Sequence, residues 1–209
     1  MNKYKLAIVY GAICGGCDVA LANWGEALVD VASKFDIVYW NAAVDAKLED
    51  FEKIKDIDVG IFMGVIRTDQ HVELAKMLRE KAKIVIAYGA CASYGDVPGL
   101  AALTNADKLI KDVNSTVTTT LIEEIRGIEA VNIPRLLDTV SPVVEIIDAD
   151  IIVPGCPPSE ESDRELINML LNYQPNMEFK GKIVLGEEAS LCNICPRRPE
   201  DLHKIVMPG

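Results

Sequence analysis

Cysteines that directly follow apolar segments are the residues of this sequence best suited to chemistry. Cys14 and Cys17 form a CxxC pair just after the apolar run at 4–10, and Cys91 and Cys156 each follow a later apolar run. A cysteine thiolate is a nucleophile, a redox group and a soft ligand for zinc or iron. Four such thiols can build a metal centre if the fold brings them together.

The pattern around these cysteines predicts an α/β fold. Short apolar runs alternate with amphipathic segments, which is typical of a parallel sheet covered on both faces by helices. We expect strands at 4–10, 36–40, 58–65, 83–90 and 148–155, and helices at 18–33, 69–82 and 159–171, with Asp18 as the N-cap of the first helix. The stretch 101–142 is less regular and predicts an insertion or a long crossover. We therefore expect a flavodoxin-like, doubly wound, mostly parallel sheet.

The predicted sheet brings the four cysteines to one edge. In an open parallel sheet, the loops that leave the carboxyl ends of the strands lie along one edge, where ligands bind. Three loops that are distant in sequence thus deliver four thiols to the same place. Structural zinc is usually held by two local pairs in a small module, whereas a cubane cluster accepts ligands from separate loops. These arguments favour a [4Fe–4S] cluster on Cys14, Cys17, Cys91 and Cys156 over zinc.

Small or rigid residues flank each of these cysteines, at Gly15–Gly16, Gly89–Ala90, Gly155 and Pro157–Pro158. Glycines let backbone amides approach the sulfides of a cluster, and prolines fix a loop and remove a competing donor. A thioredoxin-like dithiol at the CxxC pair is the alternative. It would leave the two later cysteines as buried structural thiols.

The composition argues against several other functions. The net charge of −11 lacks the basic footprint of a nucleic-acid-binding protein and does not suit an anionic membrane surface. No apolar run approaches the roughly 20 residues that span a bilayer. There is no GxGxxG or Walker sequence, so we expect neither a dinucleotide nor ATP. The first residues carry no apolar signal region, and we expect a cytoplasmic protein, in which cysteine clusters more often bind metal than form disulfides.

Three motifs resemble the small subunit of [NiFe] hydrogenases, which is related to the 20 kDa iron–sulfur subunit of respiratory complex I. They are CGGC at 14–17, GACASYGDVPG at 89–99 and VPGCPP at 153–158, and the resemblance extends over about residues 4–172. It implies that Cys14, Cys17, Cys91 and Cys156 hold the proximal [4Fe–4S] cluster. It also implies that the chain relays electrons and carries no catalytic residue, because hydrogen is split on a large subunit with a nickel–iron site.

The resemblance implies further partners and leaves alternatives open. Short small subunits of cytoplasmic NAD(P)-linked hydrogenases pass electrons to a diaphorase or to other iron–sulfur and flavin subunits. The complex I subunit carries an adjacent cysteine pair where this chain has CxxC, which favours the hydrogenase. A complex I-like connecting subunit and a zinc-stabilised scaffold without enzymatic function are the alternatives.

The C-terminal region carries a second CxxC pair. We expect residues 1–173 to form the cluster domain and residues 174–209 to form an extended tail. The sequence LCNICPRRP at 191–199 resembles the longer small subunits of F420-nonreducing hydrogenases. Cys192 and Cys195 are therefore candidates for a second metal site, with His203 as a possible third ligand.

Overall fold

Apolar runs rich in valine and isoleucine form the strands. The computed structural model describes residues 3–115, 133–177, 181–186 and 195–196. The strands are β1 (Tyr4–Tyr10), β2 (Phe35–Tyr39), β3 (Ile57–Met63), β4 (Ile66–Thr68), β5 (Ala82–Tyr88), β6 (Leu136–Ser141), β7 (Ile151–Val153) and β8 (Ile183–Val184). Six of them form one sheet in the order β2-β1-β3-β5-β7-β8, with every neighbouring pair parallel. This is the flavodoxin-like order, so the predicted fold class is confirmed.

Helices cover both faces of this sheet. They are α1 (Gly16–Ala22), α2 (Glu26–Lys34), α3 (Leu48–Lys53), α4 (Asp69–Lys81), α5 (Ala90–Tyr94), α6 (Asp96–Gly99), α7 (Ala106–Asn114) and α8 (Glu160–Leu171). Alternate residues of β1 enter opposite cores: Leu6 and Ile8 pack with residues of α1, α2 and α8, and Ala7 and Val9 pack with residues of α3 and α4. All seven residues of β3 are buried, as expected for a central strand with both faces covered.

One predicted helix is two helices in the structure. The sequence pattern predicts a continuous helix at 18–33, but α1 ends at Ala22 and α2 begins at Glu26. Gly25, between them, has a φ of 56°. A positive φ is open to glycine and is incompatible with a right-handed helix, so one helix cannot run through residue 25. The apolar periodicity continues across the break, which explains why the pattern alone predicts one helix.

Three strands lie where none was predicted. β4 follows the predicted strand at 58–65 and pairs antiparallel with β6, in the described part of the irregular stretch, to form a small separate ladder. In the expected tail, β8 pairs with β7 and becomes an edge strand of the main sheet. The division into residues 1–173 and 174–209 stays a prediction. Within the described residues, no helix is both long and apolar enough to cross a membrane.

Candidate metal centre

The loop after β1, which carries Cys14 and Cys17, is fixed to the loop after β3. The N–H of Gly11 donates to the Met63 carbonyl at 2.8 Å. Ala12 and Val65 exchange two hydrogen bonds, at 2.8 and 3.1 Å, in an isolated antiparallel bridge. Backbone contacts therefore set the direction in which the chain leaves β1 towards the CxxC pair.

The loops that carry Cys91 and Cys156 are fixed to each other in the same way. The N–H of Gly89 donates to the Val153 carbonyl at 2.7 Å, and the N–H of Ala90 donates to the Gly155 carbonyl at 2.7 Å. Since these bonds lie just before the two cysteines, the neighbouring strands β5 and β7 deliver both thiols to one place.

Gly89 and Cys17 join the loop that carries the CxxC pair to the loop that carries Cys91. A Cβ atom added to Gly89 would lie 2.6 Å from Sγ of Cys17, so that sulfur lies directly against the backbone that leads to Cys91. Gly89 has φ 89° and ψ 158°, a region that only glycine adopts readily. The glycine before Cys91 is thus required both by its backbone conformation and by the sulfur packed against it.

All four cysteines line one cavity at the carboxyl edge of the sheet. The cavity has a volume of about 170 Å³, and its lining includes Cys14, Cys17, Cys91 and Cys156, to which we refer as the four-thiol site. Cys14 and Cys156 are exposed, Cys17 and Cys91 are half-buried, and none of the described cysteines is in a disulfide. The structure therefore brings together all four cysteines that the sequence singled out.

The size of the cavity bears on what the four thiols could hold. A single water needs about 10–15 Å³ of such space, so the cavity has room for a polyatomic group. In the described part of the chain, no three His, Cys, Asp or Glu side chains are close enough together to hold one metal ion. Soft sulfur donors around a space of this size fit an iron–sulfur cluster.

The acid–base properties of Cys17 and Cys91 do not resemble those of a reactive redox thiol. Burial raises the pKa of the Cys17 thiol to about 12, and the nearby thiols of the site and the Asp18 carboxylate act in the same direction. Burial also raises the pKa of Cys91. A reactive dithiol has a lowered pKa, whereas a metal ligand gives up its proton when the metal binds. Cys91 and Cys156 also line the cavity, which argues against the alternative that they are buried structural thiols.

Asp18 has a different role from the one expected. The sequence suggests that Asp18 caps the helix after the CxxC pair, but α1 begins at Gly16, and the residue that caps it is Gly15. Asp18 Oδ1 instead accepts hydrogen bonds from the Tyr10 hydroxyl at 2.6 Å and from Nε1 of Trp40 at 2.9 Å. The prediction was wrong because the partners come from the ends of β1 and β2, which local sequence cannot place.

Asp96 is a residue of the site that the sequence did not single out. The Asp96 carboxylate is the main cause that raises the pKa of the Cys156 thiol, and its charge adds to the effect of burial in raising the pKa of the Cys91 thiol. Asp96 stands in the quoted motif GACASYGDVPG, but only the fold brings it to Cys156, which lies in a different loop.

The second CxxC pair is only partly described. Cys195 is half-buried, and Cys192 and His203 lie outside the described residues. The segment that leads to this pair leaves β8 beside β7, where the Leu185 N–H donates to the Ile152 carbonyl at 2.9 Å. The second site therefore stays a prediction.

Comparisons with known proteins agree with the features of this site. The family described as NADH ubiquinone oxidoreductase, 20 Kd subunit, matches residues 14–170. A subunit of the F420-non-reducing hydrogenase of Methanothermobacter marburgensis is 36% identical over 203 residues, which cover 96% of this chain and 62% of that protein. The chain thus spans less than two thirds of the length of that relative.

A second relative and one solved structure match this chain over most of their own lengths. The NAD-reducing hydrogenase HoxS subunit delta of Cupriavidus necator is 27% identical over 180 residues, covering 83% of this chain and 81% of that protein. A chain from a crystal structure of an NAD+-reducing [NiFe]-hydrogenase in the H2-reduced state superposes with a TM-score of 0.69 at 24% identity. The superposed region covers 86% of this chain and 98% of the hydrogenase chain. The superposition supports the fold described above.

Proposed function

The chain belongs to the NADH ubiquinone oxidoreductase 20 kDa subunit family, and from this premise we propose that it is the electron-relay small subunit of a [NiFe] hydrogenase. The observation that carries the proposal is the four-thiol site, in which three separate loops line one cavity at the carboxyl edge of the sheet. The relatives that carry the word hydrogenase in their names support the same conclusion.

The residues that would hold the cofactor are Cys14, Cys17, Cys91 and Cys156. When bound there, a [4Fe–4S] cluster would take up and release single electrons. The chain's own contribution is to fix the positions of the ligands through the backbone hydrogen bonds between the loops and to limit the access of water to the half-buried Cys17 and Cys91. No side chain of this subunit would take part in splitting or forming molecular hydrogen.

An apolar surface beside the site fits a protein partner. Four exposed apolar side chains follow Cys91 at intervals of three residues: Tyr94 ends α5, Val97 lies on α6, and Leu100 and Leu103 lie on the 3-10 turn (Leu100–Leu103) after it. We call them the apolar rim: Tyr94, Val97, Leu100 and Leu103, with exposed fractions of 61%, 69%, 64% and 86%. Exposed apolar patches of this kind mark interaction sites. The proposed occupant is the nickel–iron large subunit, which would bring its metal site next to the cluster.

The remaining partners belong to the same proposal. A diaphorase or another iron–sulfur or flavin subunit would receive the electrons, in a cytoplasmic complex. The second CxxC pair, Cys192 and Cys195, would hold part of a second cluster. A complex I-like connecting subunit is the competing function, and its large partner would carry no nickel.

Purification of the native complex without oxygen tests this proposal. We expect this chain to copurify with a nickel protein, with about four irons and four sulfides per chain in the four-thiol site. Its broad absorbance near 400 nm should bleach on reduction. Stoichiometric zinc with no iron would support the scaffold alternative, and an iron–sulfur chain with a nickel-free partner would support the complex I-like alternative.

A further inference from the structure

Ile13 and Gly64 form one wall of the cavity at the four-thiol site. Ile13 directly precedes Cys14, Gly64 directly follows β3, and both residues line the cavity. A Cβ atom added to Gly64 would collide with Cγ2 of Ile13, so the Ile13 side chain takes the space that a side chain at position 64 would need. Gly64 also has a φ of 89°, which favours glycine. The only side chain in this wall is therefore that of Ile13.

The position of Ile13 is fixed by its neighbours. The residue before it, Ala12, exchanges hydrogen bonds of 2.8 and 3.1 Å with Val65, the residue that follows Gly64. Ile13 is half-buried and packs against the core cluster that contains Leu6 and Ile8. Movement of the Ile13 side chain away from the cavity would disturb these contacts.

The rest of the lining offers little polarity to a bound group. Besides the four cysteines, the described residues that line the cavity have side chains without any hydrogen-bond donor: Ile13, Gly16, Gly64, Ala90, Gly155 and Pro157. One backbone donor reaches a ligand, since the Gly16 N–H donates to Sγ of Cys14 at 3.5 Å. Hydrogen bonds to the sulfurs of a bound cluster would thus come from the backbone and from water.

Water beside a cluster changes its reduction potential. The reduced form carries one more negative charge than the oxidised form, and loss of water disfavours the more highly charged form. Solvent exposure and hydrogen bonds to the sulfurs accordingly both tune the potential of iron–sulfur clusters. Truncation of Ile13 to alanine would leave a gap beside the Gly64 backbone and the Cys14 sulfur, where water finds polar partners.

We propose that the Ile13 side chain excludes water from the cluster at the four-thiol site and thereby lowers its reduction potential. The inference rests on the proposed function, because it requires a cluster there. Ile13 is neither a ligand nor a charged group, and it acts by filling the space beside Cys14. The lower potential makes the reduced centre of this chain a stronger electron donor to the next carrier.

The test is a redox titration followed by EPR on the full-length chain, prepared without oxygen and carrying its cluster. The signal of the four-thiol site is identified by its loss in Cys91→Ser. Ile13→Val removes one carbon atom of the side chain and Ile13→Ala removes three, so the two variants open the wall by different amounts. Deuteron couplings in pulsed EPR, measured after transfer to D2O, report the approach of water to the cluster.

Ile37→Ala is the matched control. Ile37 is also a half-buried isoleucine that packs against the same core cluster, but it lies on β2 and does not line the cavity. This variant therefore loses the same side-chain atoms as Ile13→Ala without opening the wall of the site.

We expect the potential to rise from the wild type to Ile13→Val and further to Ile13→Ala. Ile13→Ala should shift the reduction equilibrium at least threefold towards the reduced form, which is about 28 mV when a tenfold shift is about 59 mV. Its deuteron couplings should be stronger than those of the wild type, and Ile37→Ala should match the wild type in both measurements. An unchanged potential in Ile13→Ala, or an equal rise in Ile37→Ala, would overturn the inference. A rise without stronger deuteron couplings would overturn it too, because water would not be the cause.

Loss of the cluster is separable from these outcomes. If both Ile13 variants lack iron while Ile37→Ala keeps it, Ile13 is an assembly residue and the inference is overturned. If only Ile13→Ala lacks iron, a higher potential in Ile13→Val supports the inference and an unchanged one overturns it. A wild-type chain without a cubane at the four-thiol site would overturn the proposed function, and that failure appears before any variant is compared.

Discussion

Ala90 and Gly155 are joined by a 2.7 Å hydrogen bond from the Ala90 N–H to the Gly155 carbonyl. Each of them immediately precedes a cysteine of the four-thiol site, although the two lie far apart in the sequence. The spacing of Cys91 and Cys156 is therefore set by paired backbone and not by flexible side chains. A site whose ligands are held in this way is formed before the cofactor arrives, which limits the ordering needed on binding.

Replacement of Gly89 by alanine should disrupt the centre. The new Cβ would lie 2.6 Å from Sγ of Cys17, and the glycine-only backbone conformation would add strain of about 1–3 kcal/mol. We expect less iron per chain and a lower melting temperature, measured by iron assay and thermal unfolding. Gly99→Ala is the matched control, because a Cβ there meets nothing within 4 Å. Full iron content in Gly89→Ala would show that the packing against Cys17 is not needed.

Asp58 should make the stability of the fold depend on pH. It accepts hydrogen bonds from the Lys5 N–H at 2.8 Å and from Nζ of Lys83 at 2.7 Å. Burial alone would raise the pKa of its carboxyl group, but these hydrogen bonds and the charge of Lys83 outweigh burial and hold the pKa below its ordinary value of 3.8. The stabilisation is therefore complete above the ordinary pKa and is lost as the pH falls through the lowered pKa of the folded state.

Asp58→Asn should accordingly be less stable than the wild type by about 1.5–3 kcal/mol at pH 7, the range for hydrogen bonds to a charged group. Urea unfolding of both proteins from pH 7 to pH 3 measures the difference, which should shrink below about pH 4. The exposed Asp36→Asn should change stability by less than about 0.5 kcal/mol. A difference that stays constant down to pH 3 would contradict the assigned role.

The apolar rim should bind the large subunit. Val97 and Val29 have the same exposed fraction of 69%, but Val97 lies on the apolar rim and Val29 lies on α2. Val97→Glu would bury a charge in the proposed interface and should weaken the association at least tenfold, or by about 1.4 kcal/mol or more. Val29→Glu should not. Equal binding of the two variants in a copurification assay would place the large subunit elsewhere.

The main features of the fold can be predicted from the sequence because their physical causes are local. The alternation of Leu6 and Ile8 with Ala7 and Val9 between the two cores follows from the period of a strand. The meeting of Cys91 and Cys156 follows from the rule that parallel strands end at one edge. Both inferences need only the sequence pattern and the geometry of strands, and neither depends on a measured interatomic distance.

The features that the sequence did not reveal depend on contacts between distant segments. The break at Gly25 is set by a positive φ that apolar periodicity does not report. Asp18 has a residue type that suits a helix cap, and only the positions of Tyr10 and Trp40 decide its actual partners. The pairing of β8 with β7 joins a two-residue strand to the sheet, and a strand of this length leaves no readable pattern.

The central claim is that the four-thiol site holds one cubane cluster, and Mössbauer spectroscopy of the iron-57-labelled chain tests it most directly. The wild-type spectrum should contain a four-iron component that Cys156→Ser removes or converts to a three-iron species, while Cys195→Ser leaves that component unchanged. The account would be contradicted by a wild-type chain with no four-iron component, or by a Cys156→Ser spectrum identical to that of the wild type.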